Sequence, residues 1–234
     1  MIGEPRLFAP ECESTQLLLL DADLPEGAVA VTDHQTAGRG RLGRAWVEAP
    51  GTAVLCSVLL RPPAERRAAE LSLVAAVAVA EGVESATGLS AQIKWPNDVM
   101  LNRRKVAGIL AEMRGDVVVV GIGINVNQTR EQLPSDARTP AGSLRSLTGR
   151  EYDRDGVLAT MLGRLDLRYA QWRADGLDGV FADLGSRDFL RGRRVRLGDE
   201  VGTAVQIDRQ GRLEIAFDGA GHQAIESGEV EFER

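Results

Sequence analysis

One loop in the sequence concentrates positive charge among glycines. Residues 38–44, called the arginine loop below, set Arg39, Arg41 and Arg44 between three glycines and contain no acidic residue. Glycine lets a backbone approach a ligand closely, and guanidinium groups form charge-assisted hydrogen bonds with phosphate and carboxylate oxygens. The loop is therefore predicted to bind an anion. The pattern matches neither a Walker loop nor a dinucleotide fingerprint, so a solvated turn with incidental arginines is the alternative.

A second segment places a lysine where a strand is expected to stop. Lys94 and Trp95 end an apolar stretch, and Pro96 cannot donate a hydrogen bond to a strand ladder, so a turn is predicted there. A cation fixed at this position would stabilise negative charge that develops on a phosphoryl or acyl oxygen. The alternative is a solvated lysine at a strand end. Asp98 would hold a metal, orient Lys94 or cap the turn.

A third segment alternates with the period of a β-strand. In residues 121–127, isoleucine and valine side chains would face the core, while small or amide-bearing residues would face the other way. Such a face forms a floor low enough for a flat ligand, with amides able to bond a base or a phosphate. Alternatively, the glycines only permit another element to pack closely, and both interpretations apply to Gly108. The residues predicted on this face are Gly121, Gly123, Asn125 and Asn127.

The elements that must position these segments form a mixed α and β pattern. Hydroxyl residues before an apolar run predict a short helix that begins near residues 14–16, and a long amphipathic pattern predicts one helix over residues 64–87. A further helix is predicted over residues 153–174, with Asp153 or Asp155 as its N-cap. Apolar stretches between turn residues predict strands at 28–32, 53–60, 91–95, 106–113 and 117–127, the last three in an antiparallel sheet.

The texture of the sequence changes near Arg187. From Phe189 onward, short alternating stretches are separated by glycine-containing turns, which predicts a small β-barrel. We therefore expect two domains, residues 1–186 and residues 187–234. The larger domain would contain all three candidate segments.

Composition limits the possible classes of function. The 234 residues are 44% hydrophobic and 26% charged, with a formal net charge of −6, which works against binding nucleic acid through a broad basic face. The sequence contains neither a recognisable secretory signal nor an apolar run long enough to span a bilayer. Cys12 and Cys56 have no metal-ligand spacing, so reduced thiols and a cytoplasmic location are expected.

Taken together, five ordered motifs make this sequence similar to the biotin protein ligase family. The tail resembles the family's SH3-like C-terminal domain. The resemblance implies an α+β fold with a mixed or antiparallel sheet flanked by helices, as in class II aminoacyl-tRNA synthetases and biotin/lipoate ligases. The motifs are ESTQ at residues 13–16, QTAGRGRLGRAW at 35–46, KWPND at 94–98, KVAGIL at 105–110 and GIGIN at 121–125.

The resemblance also implies a reaction in two steps. Biotin would be activated with ATP and Mg²⁺ to biotinyl-adenylate, and the biotin would then pass to a lysine on the biotin carboxyl carrier domain of a carboxylase. Lys94, Arg39 and Arg41 would be the catalytic residues, with Lys94 on the biotin carboxylate and the α-phosphate. The arginine loop would order over the adenylate and so limit hydrolysis of the mixed anhydride.

Further site residues follow from the same resemblance. Ser14, Thr15 and Gln35 would bind the ureido end of biotin, and Gln16, which stands where the family often has asparagine, would also contact biotin. Trp46 and Asn125 would hold the adenine by stacking and hydrogen bonding. Metal ligands are not assigned. The remaining predicted contacts are Arg39, Arg41, Lys94, Gly40, Gly108, Gly121 and Gly123 with biotin, and Gly38, Arg39, Arg41, Arg44 and Asn97 with ATP.

Alternatives of class and partner stay open from sequence. A lipoate ligase shares the fold and the adenylation chemistry. A non-catalytic protein that binds biotin or a nucleotide is a second alternative, although such a protein would not need cations that bind phosphate. The first motif begins by Glu13, which predicts no helix-turn-helix domain before the catalytic core and no role on DNA. No membrane partner is expected, and a homodimer could form through a free sheet edge.

Overall fold

Seven strands form the larger of two sheets in the computed structural model, which describes residues 1–20, 23–135 and 139–233. The strands are β1 Arg6–Cys12, β2 Val29–Gln35, β3 Ala53–Leu60, β4 Gln92–Lys94, β5 Asp98–Leu101, β6 Arg104–Arg114 and β7 Val117–Asn125. Their order across the sheet is β1-β2-β3-β7-β6-β5-β4. The strands β1 and β2 run parallel, and the other neighbours run antiparallel, so the predicted mixed sheet is confirmed.

Two of these strands were not predicted from the sequence. The strand β1 contains Pro10 and lacks a clear alternation of apolar and polar residues, but it lies at the sheet edge, where a missing backbone donor is tolerated. The strand β5 has four residues and is joined to β6 by a tight turn in which Asn102 and Arg103 have positive φ angles of 48° and 62°. That backbone twist suits a two-residue hairpin, so the predicted turn at residues 102–104 also implies a short partner strand.

The helices are α1 Thr15–Leu20, α2 Leu71–Thr87, α3 Leu144–Thr148, α4 Arg154–Asp175 and α5 Phe181–Ser186. The prediction of one helix from residue 64 was wrong at its start, because the α-helix begins at Leu71 after a short 3-10 turn. It is also buried on nearly every face rather than amphipathic. Gly82 lets α4 come close, since a Cβ there would lie 3.2 Å from the Cβ of Met161. The predicted N-cap Asp153 is confirmed by its bonds to the backbone N–H groups of Asp155 and Gly156.

The tail forms a second, antiparallel sheet of five strands. They are β8 Arg194–Leu197, β9 Glu200–Ile207, β10 Leu213–Phe217, β11 Gly221–Ile225 and β12 Val230–Phe232, in the order β11-β10-β9-β8-β12. The change to short strands after Arg187 is therefore confirmed, while the division into two domains stays a prediction.

The two sheets are joined by one continuous hydrophobic core. The backbone of Ile93 in β4 accepts a hydrogen bond from the Phe189 N–H and donates one to the Arg187 carbonyl. The Trp95 indole N–H donates to the Gly211 carbonyl across the same junction, at 3.0 Å. The tail is thus held against the end of the strand that carries Lys94. Among the described residues, no helix is both long and apolar enough to cross a membrane.

Candidate active site

A cavity of about 730 Å³ lies over the strands β6 and β7. Its walls come from the start of α1, the end of β2, the arginine loop, the turn after β4 and residues 228–230 of the tail. This volume falls in the range of small-molecule sites, roughly 300–1,000 Å³. The predicted site residues that line the cavity are Ser14, Thr15, Gln16, Gln35, Arg39, Gly40, Arg41, Arg44, Trp46, Lys94, Asn97, Gly108, Gly121, Gly123 and Asn125.

One wall of the cavity carries uncharged hydrogen-bonding groups. The side-chain oxygen of Gln35 accepts hydrogen bonds from the Thr15 backbone N–H at 2.9 Å and from its hydroxyl at 3.2 Å. The Thr15 hydroxyl also lies 2.7 Å from the buried Ser57 hydroxyl. These bonds fix which end of the Gln35 amide faces Thr15, so its NH₂ group is available to donate. Gln16 donates instead to the Leu110 carbonyl, at 3.1 Å.

The floor of the cavity is made of three glycines, called the glycine floor below. Gly108 on β6 pairs with Gly123 on β7, and Gly121 lies two residues before Gly123 on the same face. A Cβ on Gly123 would lie 2.6 Å from the Trp46 indole, and one on Gly121 would lie 3.1 Å from the Gln16 side chain. The predicted floor is therefore present, and flat side chains rest on it. Only glycine at these positions leaves room for the Trp46 and Gln16 side chains.

The arginine loop meets carboxylates that lie far away in sequence. Arg39 pairs with Glu112 of β6 at 2.9 Å, and Arg44 pairs with Glu229 in the tail. Arg41 has weaker partners, since its nearest contacts are the Gly228 carbonyl at 3.4 Å and the Asn97 side-chain oxygen at 3.5 Å. Burial lowers the pKa of the Arg41 guanidinium, while nearby Asp98 opposes that shift. Arg41 is thus the half-buried arginine with the longest contacts of the three.

Two lysines approach the cavity around Asp98. Lys94 is only 6% exposed, and burial lowers its pKa, although Asp98 counteracts this effect. Lys105 was not among the predicted site residues, yet it lines the cavity with its ammonium nitrogen 2.6 Å from an Asp98 oxygen. The same nitrogen lies 5.9 Å from the centre of the Trp46 ring, within cation–π distance. Asp98 therefore orients Lys105 by a direct ion pair.

Lys105 was missed because of a register shift between β5 and β6. Strand alternation puts Lys105 and Gly108 on opposite faces, and the sequence interpretation took only the glycine from this motif. In the structure the pairing shifts between Val99 and Met100, which a β-bulge produces. The Lys105 ammonium consequently comes within 3.1 Å of where a Cβ on Gly108 would lie. In the sequence, the only sign of this lysine's position was that a basic residue comes three positions before Gly108.

Four predicted residues use their polar groups in hydrogen bonds within the fold. The Asn97 amide donates to the Ile109 carbonyl at 2.7 Å. The Asn125 amide donates to the Gly142 carbonyl at 3.0 Å, and its oxygen accepts from Gln128 at 3.1 Å. Gly38 lies outside the cavity lining, at the base of the arginine loop, where its carbonyl accepts the Trp46 N–H. Asn127, predicted on the floor, bonds the backbone of Tyr152 instead.

The arrangement suits a ligand with an anionic end and an uncharged polar end. Five cationic residues line the cavity in the described part of the chain, against the two carboxylates of Asp98 and Glu229. Cations preorganised in a partly buried site stabilise charge that develops on phosphoryl and acyl oxygens. Within residues 1–20, 23–135 and 139–233, no cluster of three or more His, Cys, Asp or Glu could hold a metal ion. The cations are Arg39, Arg41, Arg44, Lys94 and Lys105.

Several known proteins are similar to this chain in sequence. A sequence profile described as the Biotin/lipoate A/B protein ligase family matches residues 10–128. The biotin--[acetyl-CoA-carboxylase] ligase of Paracoccus denitrificans is 35% identical, and the match covers 97% of this chain and 99% of that protein. The bifunctional ligase/repressor BirA of Bacillus spizizenii is 36% identical, with 91% of this chain and 70% of that protein covered.

A solved structure agrees with these sequence matches. The biotin protein ligase from Aquifex aeolicus in complex with biotin and ATP superposes with a TM-score of 0.88 at 32% identity, and the match covers 99% of each chain. The fold and the cavity together define an enzyme that binds anionic substrates above the glycine floor of its sheet. The chain belongs to the Biotin/lipoate A/B protein ligase family, as its five motifs predicted.

Proposed function

We propose that this chain is a biotin protein ligase, which forms biotinyl-5′-AMP and pyrophosphate from biotin and ATP and then transfers the biotin to a lysine of an acceptor protein. The observation that carries this proposal is the convergence of five cations on one cavity, in which the wall from α1 and β2 offers uncharged hydrogen-bonding groups. Biotin has these two chemical ends, a carboxylate and a neutral cyclic urea. The relatives named for biotin ligation support the same choice.

The neutral end of biotin lies against the wall formed by α1 and β2. The Gln35 amide is oriented by Thr15, so it presents its NH₂ group, and Ser14 and Thr15 add hydroxyl groups. Groups fixed before the ligand arrives need little ordering when it binds, which favours affinity. The Gln16 amide already bonds the backbone of β6, so its role here is to shape the wall above Gly121.

The carboxylate end lies near the lysines and Arg41. In the first step a biotin carboxylate oxygen forms a bond to the α-phosphorus of ATP while the bond to the β-phosphate oxygen breaks, and pyrophosphate leaves. Negative charge accumulates on the phosphoryl oxygens in this transition state, where fixed cations contribute most. Lys94 and Arg41 take this role as the family motifs imply. Lys105 joins them, because its ammonium is the more exposed of the two lysines and Asp98 holds it at the wall.

The second step needs no protein nucleophile. The neutral amine of an acceptor lysine attacks the acyl carbon of the adenylate, the bond from that carbon to the phosphate oxygen breaks, AMP leaves, and the amine nitrogen loses one proton to water. Arg39 and Arg41 offset the charge of the departing phosphate. The arginine loop and residues 228–230 meet at the cavity through the pair of Arg44 with Glu229, and their closure over the bound adenylate limits the access of water to the mixed anhydride.

The nucleotide is held by the remaining residues of the cavity. The Trp46 ring provides a stacking surface for adenine, and Asn125 forms the wall beside it. Bound Mg²⁺ supplies charge neutralisation on the triphosphate. Asp98, beside its pair with Lys105, would hold such an ion, because Mg²⁺ in nucleotide sites is commonly held by one or two carboxylates together with phosphates and water.

The acceptor is the biotin carboxyl carrier domain of a biotin-dependent carboxylase. Support for this partner is the activity named for the Paracoccus relative, which acts on acetyl-CoA carboxylase by its name. A homodimer and the absence of a role on DNA stay predictions from the sequence.

Pyrophosphate release with ATP and Mg²⁺ tests this proposal, with biotin, lipoate or no acid as the variable substrate. We expect release that depends on biotin. Addition of a purified carrier domain should then fix biotin on one lysine, which a mass increase on that domain detects.

Each control has a distinct meaning. Release with lipoate alone would assign the chain to a lipoate ligase of the same family. Binding of biotin without pyrophosphate release under any condition would indicate a non-catalytic binder.

A further inference from the structure

The two steps of the proposed reaction give no role to one carboxylate, which lies behind the cavity wall. The side chain of Glu48 is 0% exposed, and Glu48 does not line the cavity. One of its oxygens, Oε2, is buried and has no hydrogen-bond partner in the described part of the chain. A buried carboxylate with an unsatisfied oxygen destabilises the fold unless its other bonds compensate. The bonds of its other oxygen must therefore compensate for this cost.

The other oxygen, Oε1, holds the end of β2. It accepts the backbone N–H of Gln35 at 3.1 Å, and the ring nitrogen Nδ1 of His34 lies 3.0 Å from it. Gln35 is the last residue of β2, and its side chain makes the bonds to Thr15 that orient the neutral wall of the cavity. The carboxylate thus fixes the backbone from which this recognition amide projects.

The same contact closes the base of the arginine loop. Gln35 precedes the loop and Glu48 follows it, so a single carboxylate ties the two ends together. Two backbone bonds accompany this tie, from the Trp46 N–H to the Gly38 carbonyl and from the Gly51 N–H to the Asp33 carbonyl, both 2.9 Å long. Glu48 is the side chain in this set that reaches from the returning segment to β2.

We infer that Glu48 is a positioning residue for the acid substrate: through the Gln35 backbone and the base of the arginine loop, it sets the geometry of the wall that binds the neutral end of biotin. This inference rests on the proposed function. His34 is its second partner, with the ring nitrogen Nδ1 3.0 Å from Oε1. Glu48 touches no reacting atom, so its effect falls on substrate binding rather than on the chemical step.

The test is isothermal titration of biotin into the full chain and its variants, together with kcat and KM for biotin in pyrophosphate release. Glu48→Ala is expected to raise the Kd and KM for biotin about tenfold, as expected for the loss of one buried hydrogen bond to a charged group. Its kcat should stay within about threefold of the unaltered chain. Glu48→Gln keeps the acceptor oxygen for Gln35 and should restore biotin binding to within about threefold.

A matched control is Glu26→Ala, at a distance from the cavity. The Glu26 carboxylate makes the same kind of bonds, since it accepts the Arg61 backbone N–H at 2.9 Å and the Tyr169 hydroxyl at 2.7 Å. This variant should lose thermal stability without any change in the Kd for biotin. If Glu48→Ala does not fold, Glu48→Asp replaces it, because the shorter side chain withdraws the oxygen from Gln35 while keeping the charge.

The outcomes separate the inference from the proposed function. Biotin affinity unchanged in Glu48→Ala or, if that variant does not fold, in Glu48→Asp overturns the inference and leaves the ligase activity in place. A loss of affinity that Glu48→Gln does not restore also overturns it. Failure of the unaltered chain to bind biotin overturns the proposed function, and the inference with it.

Discussion

The glycine floor and the arginine loop form opposite sides of one cavity, yet they are held in different ways. The floor lies within the sheet, where backbone ladders on β6 and β7 fix every glycine. The loop is closed at its base by backbone hydrogen bonds, and side chains hold it against the rest of the protein through the pairs of Arg39 with Glu112 and Arg44 with Glu229. Both arginines are at least 40% exposed, and exposed ion pairs contribute little stability. The shape of the floor is thus preformed, whereas an anionic ligand can exchange for the carboxylates that hold the loop.

The lysines of the sheet should give the largest effect, because they are fixed like the floor. We expect Lys94→Ala and Lys105→Ala each to lower the rate of pyrophosphate release by roughly 10²- to 10³-fold, the usual loss for one preorganised donor at a developing charge. Single-turnover formation of biotinyl-adenylate measures this rate. Circular dichroism should show that both variants remain folded. Full activity of Lys105→Ala would mean that its pairing with Asp98 is only structural.

Removal of an arginine from the loop should have the next largest effect on adenylation. Arg41→Ala is expected to lower adenylation by about 10²-fold, since this half-buried guanidinium lines the cavity near Asp98 and has only long contacts of its own. Its melting temperature should change little for the same reason. Unaltered turnover in this variant would contradict the assignment of the loop to the phosphate.

The pH dependence should separate the buried lysine from the permanently charged loop. Burial lowers the pKa of Lys94 below its ordinary value of 10.5, so in the folded chain it loses its proton at a lower pH than a solvated lysine does. Adenylation should therefore begin to decline below pH 10.5, once the pH passes the lowered pKa of Lys94, and then by up to about tenfold per pH unit. A guanidinium keeps its charge, so the decline in Lys94→Arg should move to higher pH in a rate–pH profile. An identical profile in both proteins would exclude Lys94 as its origin.

A side chain on the floor should have a smaller effect, confined to the ligand. In Gly123→Ala the new Cβ would lie 2.6 Å from the Trp46 ring, which must then leave its place over β7. We expect the KM for ATP to rise about tenfold, with a smaller change in the KM for biotin, since the displaced ring is the predicted stacking surface for adenine. Steady-state kinetics with each substrate varied in turn distinguishes the two. Equal increases for both substrates would argue against this assignment.

Substitution of a glycine outside the cavity should have the smallest effect, and it should stabilise the protein rather than impair it. Gly163 lies exposed within α4, and a Cβ there would meet no atom within 4 Å. Gly163→Ala should raise the free energy of unfolding by about 0.5–1 kcal/mol, because alanine favours the helix. Denaturant unfolding measures this gain, and the activity should not change. A loss of activity would indicate that α4 communicates with the cavity.

Sequence patterns predicted the parts of the fold in which local chemistry is decisive. The strand Ala53–Leu60, the N-cap Asp153 and the turn at Pro96 agree with the structure because each depends on residues adjacent in the chain. The start of α2 was placed too early, since residues 64–67 have helical propensity but lie outside the helix. The edge strand β1 was missed because its pairing with β2 depends on a neighbour that its own sequence does not specify.

The sequence by itself determined the family and the cationic character of the site, because five ordered motifs and three loop arginines are properties of the chain. The tertiary structure alone decided which side chains meet. The bulge that turns Lys105 toward the cavity, the carboxylates that reach the arginine loop from β6 and the tail, and the buried Glu48 behind Gln35 all join residues distant in sequence. Contacts of this kind depend on register and packing between elements, which a local pattern does not encode.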